Sequence, residues 1–230
     1  MFRIKQFAVE HKHSSMKVGT DAVLLGAWAS CDSVQNILDI GTGSGVISLL
    51  LAQRSNAHIT AIDIHEASIT EATQNFANSP WSHRLTAKHS RLQDYNPKTK
   101  FDLIVSNPPY FRNCLKVQDP IRNKARHDDA LPFEELLNGI ERLMSLDGRF
   151  AIVLPTAEYM VFEKMAKNMQ FYPFELLHIY STPEKPCIRV LAEFRRENGP
   201  CAYSELAIHC PDGTYTSDYQ QLTAAFYLDF

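Results

Sequence analysis

The tetrapeptide Asn107-Pro108-Pro109-Tyr110 directly follows the apolar run Phe101-Asp102-Leu103-Ile104-Val105-Ser106. Two prolines fix the backbone and remove two N–H donors, so the turn is stiff. It offers a side-chain amide, a carbonyl and an aromatic face at one place. That set suits the holding of a planar amino group. An exocyclic amine on a purine is a poor nucleophile, because its lone pair is delocalised into the ring. If the Asn107 amide oxygen and the Pro108 carbonyl accept its two N–H bonds, the lone pair can turn out of the ring plane toward an electrophile. Tyr110 would stack on the base and Pro109 would hold the shape of the turn. Orientation and charge placement, not a strong general base, would carry the rate. Phe111 extends the aromatic edge.

A second motif lies upstream, Leu38-Asp39-Ile40-Gly41-Thr42-Gly43-Ser44-Gly45. Glycines at a strand-to-helix turn let a ligand lie against the backbone. The spacing is G-x-G-x-G, and Val46 stands where a dinucleotide site would place its third glycine. Asp39 would repel a pyrophosphate but suits the cationic ammonium of S-adenosylmethionine, directly or through a water. Asp63 ends the next strand, where a carboxylate can accept both ribose hydroxyls, a role shared with nicotinamide sites. Arg91 and Leu92 follow the third strand and are expected to line an adenine pocket. Gly41, Gly43 and Gly45 complete the expected donor site. The two motifs together read as methyl transfer from S-adenosylmethionine to a planar nitrogen. Alternatives are guanine N2 of ribosomal RNA, a protein glutamine amide, or a non-catalytic donor-binding module associated with RNA. A pure scaffold would have no need of the Asn107 clamp.

The elements that position these motifs alternate. Helix is expected over 20–30, 46–53, 66–77, 133–144 (closed by Asp147-Gly148) and 156–169. Strand is expected over 36–40, 58–63, 85–89, 101–106 and 149–154. Three further strands, 174–180, 187–195 and 204–209, follow without intervening helices. The expected fold is α/β, a doubly wound, mostly parallel seven-stranded sheet with an antiparallel C-terminal edge. One domain covers 1–230, with an N-terminal extension and helix over 1–35 ahead of the core over 36–230.

A chain of 230 residues suits one such domain. The five cysteines, Cys31, Cys114, Cys187, Cys201 and Cys210, form no C-x-x-C pair, which points to neither zinc nor a disulfide framework and to a reducing cytoplasm. Pro186-Cys187 reads as structural, not as a cytosine-attacking thiolate. No run approaches the ~18 apolar residues of a membrane span, and the first residues lack a signal-peptide core. A formal net charge of −3 argues against indiscriminate coating of nucleic acid. The basic residues cluster, however: Arg3, Lys5, His11, Lys12, His13 and Lys17 before the first helix, and Arg112, Lys116, Arg122, Lys124, Arg126 and His127 after the Asn-Pro-Pro-Tyr turn. Their place beside the reaction centre predicts a phosphate-contacting rim. His11 and His13 read as a solvated pair, not as metal ligands.

With these residues in view the chain resembles the tRNA1(Val) adenine-N6-methyltransferases, within the class I Rossmann-like methyltransferases. The likeness extends to Lys17-Val18-Gly19-Thr20-Asp21-Ala22-Val23-Leu24-Leu25-Gly26-Ala27-Trp28, to Ala125-Arg126-His127 ahead of Leu136-Leu137, and to Gly213-Thr214-Tyr215-Thr216 through Phe226-Tyr227-Leu228. The resemblance implies methylation of N6 of the adenosine 3′ of the anticodon in a valine tRNA. It implies S-adenosyl-L-methionine as donor, S-adenosyl-L-homocysteine as product and no metal. Asn107, Pro108, Pro109 and Tyr110 match the catalytic motif, and Asp39, Gly41, Gly43, Gly45 and Asp63 match the donor site. Phe111, Arg122, Lys124 and Arg126 are expected to contact the tRNA anticodon loop. A loop base can be extruded at lower cost than one in a duplex. Neither a membrane nor a protein partner is implied.

Overall fold

In the run Ile37-Leu38-Asp39-Ile40 every residue is buried, the signature of a central strand covered on both faces. The structure, a computed structural model, describes residues 1–14, 17–109 and 131–229. A two-stranded antiparallel ribbon, β1 (Phe2–Arg3) with β2 (Ala8–Val9), precedes helix α1 (Thr20–Trp28). Then come β3 (Asn36–Ile40), α2 (Val46–Arg54), β4 (His58–Asp63), α3 (Glu66–Ala77), β5 (Leu85–His89) and β6 (Phe101–Ser106). After the undescribed stretch follow α4 (Phe133–Leu143), β7 (Met144–Pro155), α5 (Thr156–Asn168), β8 (Tyr172–Tyr180), β9 (Cys187–Arg195), β10 (Ala202–Ala207) and α6 (Ser217–Thr223). The main sheet has the order β10-β8-β9-β7-β6-β3-β4-β5.

Alternation along the strands divides the core. Leu103 and Val105 on β6, with Ala151 and Val153 on β7, face the layer that includes α1, α2, α3 and α6. Ile104, Phe150 and Ile152 face the layer of α4 and α5, where Phe150 stacks on Phe194 with ring centroids 4.8 Å apart.

The expected class of fold is present, with three differences of detail. Among the described residues the main sheet has eight strands, not seven. The antiparallel strand is β9, and it is interior: it lies between β7 and β8, and the edge strand β10 runs parallel to β8. The α5 crossover leaves one strand's width between β7 and β8, and the short 181–186 link folds β9 back into it as a hairpin neighbour. Strand β7 also begins at Met144 rather than at 149. Asp147-Gly148 sits in an irregular stretch, where pairing passes from Phe101↔Met144 to Leu103↔Arg149. A Cβ at Gly148 would lie 2.6 Å from Met144 Cγ and 3.0 Å from the Phe101 carbonyl, so the glycine permits the bulge.

One buried ion pair ties α1 to the sheet. Glu193 on β9 is fully buried, and its Oε1 accepts the Ser30 N–H at 2.5 Å. Arg149 Nε stands 3.5 Å from Oε2, and Arg149 Nη2 donates to the Ser30 carbonyl at 2.7 Å. Burial pushes the Glu193 carboxyl up to about 7, above the ~4.3 of an unfolded chain. Between those values the folded state holds a proton that the unfolded state has lost, so stability falls as pH rises toward 7 and levels above it. Asp39, pushed up to about 6 by its own burial, adds to the slope only below pH 6. Wild-type protein is therefore expected to lose thermal stability between pH 6 and 7, and Glu193→Gln to lose less across the same interval. Parallel melting curves in the two proteins would refute the assignment.

Candidate active site

Three parallel strands end at one level. Ile62 pairs with Ile40, and Ile40 pairs with Ser106, so the next residues, Asp63, Gly41 and Asn107, leave the sheet side by side. Neighbouring strands lie ~4.8 Å apart, which sets Asp63 and Asn107 about 10 Å from each other across the glycine turn. The Ser106 hydroxyl donates to the Ile40 carbonyl at 2.9 Å and locks the two outgoing turns together. Gly41 and Thr42 both donate backbone N–H bonds to the Ile62 carbonyl, at 2.9 and 3.1 Å.

A cavity of about 710 Å³ opens over these strand ends. That lies in the upper part of the ~300–1,000 Å³ range of small-molecule sites. Among the described residues its floor includes Gly41, Thr42, Gly43 and Ser44, one side Asp63, Ile64, Ser90, Arg91 and Leu92, and the other Ser106, Asn107, Pro108 and Pro109. The structure thus brings together Gly41, Gly43, Asp63, Arg91, Leu92, Asn107, Pro108 and Pro109 of the residues expected from sequence. Tyr110, Phe111, Arg122, Lys124 and Arg126 lie outside the described residues.

The glycines divide by role. Gly41 and Gly43 have φ +72° and +55°, and a Cβ on either would meet no protein atom within 4 Å. Their open sides form a cradle that a ligand can approach. Gly45, at φ +83°, is different: a Cβ there would lie 2.5 Å from Phe76, and the residue does not line the cavity. It lets α2 start hard against α3.

Asp39 is fully buried behind the turn and does not line the cavity. Its Oδ2 accepts the Thr42 and Ser48 hydroxyls, both at 2.7 Å, which pins the turn to the start of α2. Burial raises its carboxyl to about 6, and the negative Asp63 adds to the shift. The Asp39 Oδ1 is buried with no hydrogen-bond partner among the described residues. Such an orphan acceptor beneath the cradle fits a cationic ligand group reached through a bridging water better than direct contact. Asp63 is held on both oxygens: Oδ2 accepts the Gly43 N–H and Oδ1 the His65 N–H, each at 2.9 Å. Each oxygen keeps a second lone pair for a hydroxyl. Cradle, orphan acceptor and a carboxylate with lone pairs left for a diol together fit an adenosyl donor. Among the described residues no group of three or more His, Cys, Asp and Glu could hold a metal ion.

One wall, apart from Lys17 of the expected basic rim, was not anticipated as part of the site. Lys17, Val18, Gly19, Thr20, Asp21 and Ala22 line the cavity from the N-terminal side. They are brought there by α3. The Glu71 carboxylate accepts the Lys12, His13 and Ser14 N–H bonds at 2.6, 3.2 and 2.9 Å. Burial alone would raise the Glu71 pKa, but these N–H groups outweigh it and hold the carboxyl below its usual value. The Asn75 side chain bonds the Glu10 N–H and carbonyl and the Ser44 carbonyl, strapping the arm to the glycine turn. The sequence signs of this wall are the turn-and-cap string Gly19-Thr20-Asp21 ahead of an apolar helix, Lys17 in the basic cluster, and the Lys17–Trp28 string that carries part of the resemblance. Arg189 of β9 also lines the cavity.

A family model described as a methyltransferase domain matches residues 32–209. Curated relatives named tRNA1(Val) (adenine(37)-N6)-methyltransferase align over nearly the whole chain. That of Bacteroides thetaiotaomicron is 42% identical, with 99% of this chain and 97% of the relative covered. That of Pedobacter heparinus is 43% identical, with 100% and 98% covered. Among solved structures, a predicted O-methyltransferase of Agrobacterium tumefaciens superposes with a TM-score of 0.71 over 90% of this chain and 96% of its own. At 17% identity it bears on the fold alone.

Proposed function

The chain belongs to the tRNA1(Val) (adenine(37)-N6)-methyltransferase family, and on that premise we propose that it methylates N6 of adenosine 37, 3′ of the anticodon, in a valine tRNA. The observation that carries the reading is the single cavity shared by the Asn107-Pro108-Pro109 turn, the Gly41–Gly43 cradle and Asp63. S-adenosylmethionine, when bound, supplies a methyl group on a sulfonium.

Asp63 would hold the ribose hydroxyls, the open faces of Gly41 and Gly43 would let the donor lie on the backbone, and Asp39 would attract the ammonium from below. The Asn107 amide oxygen and the Pro108 carbonyl accept the two N–H bonds of the target amine, and Tyr110 holds the ring. That grip would turn the nitrogen lone pair out of the ring plane, toward the methyl group that a donor held by Gly41, Gly43 and Asp63 would supply. The same two oxygens stabilise the positive charge that develops on nitrogen, and the surplus proton leaves to water. With a nucleic-acid substrate, the chain would act in the cytoplasm.

Nucleoside mass spectrometry of valine tRNA from cells with and without the chain tests the proposal. Loss of N6-methyladenosine at that one position is expected; an unchanged level would overturn it. We further infer that Arg122, Lys124 and Arg126 contact tRNA phosphates. Reversing all three to Glu should weaken tRNA binding severalfold or more and flatten its salt dependence, because fewer counterions are released. Donor affinity should not change. Equal tRNA affinity at low salt would remove these residues from the interface.

A further inference from the structure

We propose that Arg189 grips a backbone phosphate of the nucleotide whose base is held at Asn107, an inference that rests on the RNA methylation proposed above. Because β9 runs antiparallel to its neighbours, its first residues reach the same end of the sheet as the Asn107 turn. Arg189 pairs with Pro155, three residues beyond Ile152, and Ile152 pairs with Ser106. Arg189 therefore lies beyond the level at which β6 ends, two strands to the side, about 10 Å across the sheet, and it lines the same cavity as Asn107 and Pro109. That matches the reach from a base's amino edge to its own sugar-phosphate. Leu191, two residues on, packs in the layer of α1, so strand alternation turns Arg189 to the α1 face.

The side chain is aimed. Its Nε bonds the Asp21 Oδ2 at 2.8 Å, and an Nη1 bond of 2.9 Å to the Ile188 carbonyl fixes the plane of the guanidinium in the cavity wall. Asp21 acts through Arg189 and is a positioning residue. The opposite end of the cavity carries Asp63, four strands from β9 and about 19 Å away. Asp63 thus falls at the end of the cavity proposed for the donor's ribose, and Arg189, with Asp21 beside it, at the far end. A guanidinium suits phosphate recognition because it stays charged and presents several N–H donors in one plane.

The test compares a synthetic valine anticodon stem-loop with two copies carrying a methylphosphonate 5′ or 3′ of the target adenosine. A 2′-deoxyribose at each tested linkage in all three RNAs keeps the backbone intact. With normal phosphates, Arg189→Gln is expected to lose about 10- to 100-fold in kcat/KM for RNA, as for one charge-assisted contact. Donor affinity by calorimetry should be unchanged, and Arg189→Lys should recover part of the loss. Wild-type enzyme should lose a similar factor on one methylphosphonate RNA, and Arg189→Gln should lose little more on that RNA. If both proteins lose equally on each methylphosphonate RNA, Arg189 does not touch a phosphate. If Arg189→Gln loses donor affinity instead, the residue belongs to the donor site and the inference falls. If wild-type enzyme leaves the normal stem-loop and whole tRNA unmethylated, the parent proposal fails, and this one with it.

Discussion

Replacement of Asn107 by alanine is expected to lower kcat by about 10²- to 10³-fold, the usual loss when one preorganised group facing transition-state charge is removed. The truncation removes an acceptor from the target amine and leaves the donor's partners in place. Gly41, Gly43 and Asp63 sit on the neighbouring strand ends, and the Ile40–Ser106 pairing with the Ser106 hydroxyl bond registers those ends with β6. Calorimetric donor affinity should therefore equal that of wild type while single-turnover methyl transfer is slow. An Asn107→Ala enzyme with full turnover would end the clamp assignment.

Asp63→Ala should fail in the opposite parameter. The carboxylate is expected to take two ribose hydroxyls while it accepts the Gly43 and His65 N–H bonds. Its loss removes the charge-assisted contacts and also frees the cradle it braces. Hydrogen bonds to a charged partner contribute ~1.5–3 kcal/mol each, so donor affinity should fall about 100-fold or more. At saturating donor much of kcat should return, because the amine clamp is untouched. Asp63→Asn, which keeps one acceptor oxygen, should fall between the two. Undiminished donor binding by Asp63→Ala would place the ribose elsewhere. The contrast between a kcat variant and a donor-affinity variant separates the two halves of the cavity.

Several parts of this site could be read before folding was known. The clamp and the cradle are each written within a few consecutive residues, as proline stiffness and glycine permissiveness at a strand end. Asp63 could be placed because a carboxylate at the close of the second strand has few other uses. Gly45 and Asp39 show the limit. Gly45 shares a spacing with Gly41 and Gly43, yet its missing side chain makes room for Phe76, 31 residues away, not for a ligand. Asp39 has the right chemistry for a cation, but its depth under Thr42 and Ser48 sets it behind the cavity wall.

By itself, then, the amino-acid order placed the groups: a proline-stiffened turn with an amide at the end of one strand, glycines at the end of its neighbour, and the alternating elements of a wound sheet. Those features are local, set by φ, by donor and acceptor type and by strand or helix periodicity. The tertiary structure alone decided that β9 slots inside the sheet with Arg189 at the cavity, and that Glu71 and Asn75 hold the N-terminal arm over the glycine turn. These arrangements join residues 31 to 168 positions apart, and strand order, register and packing fix them.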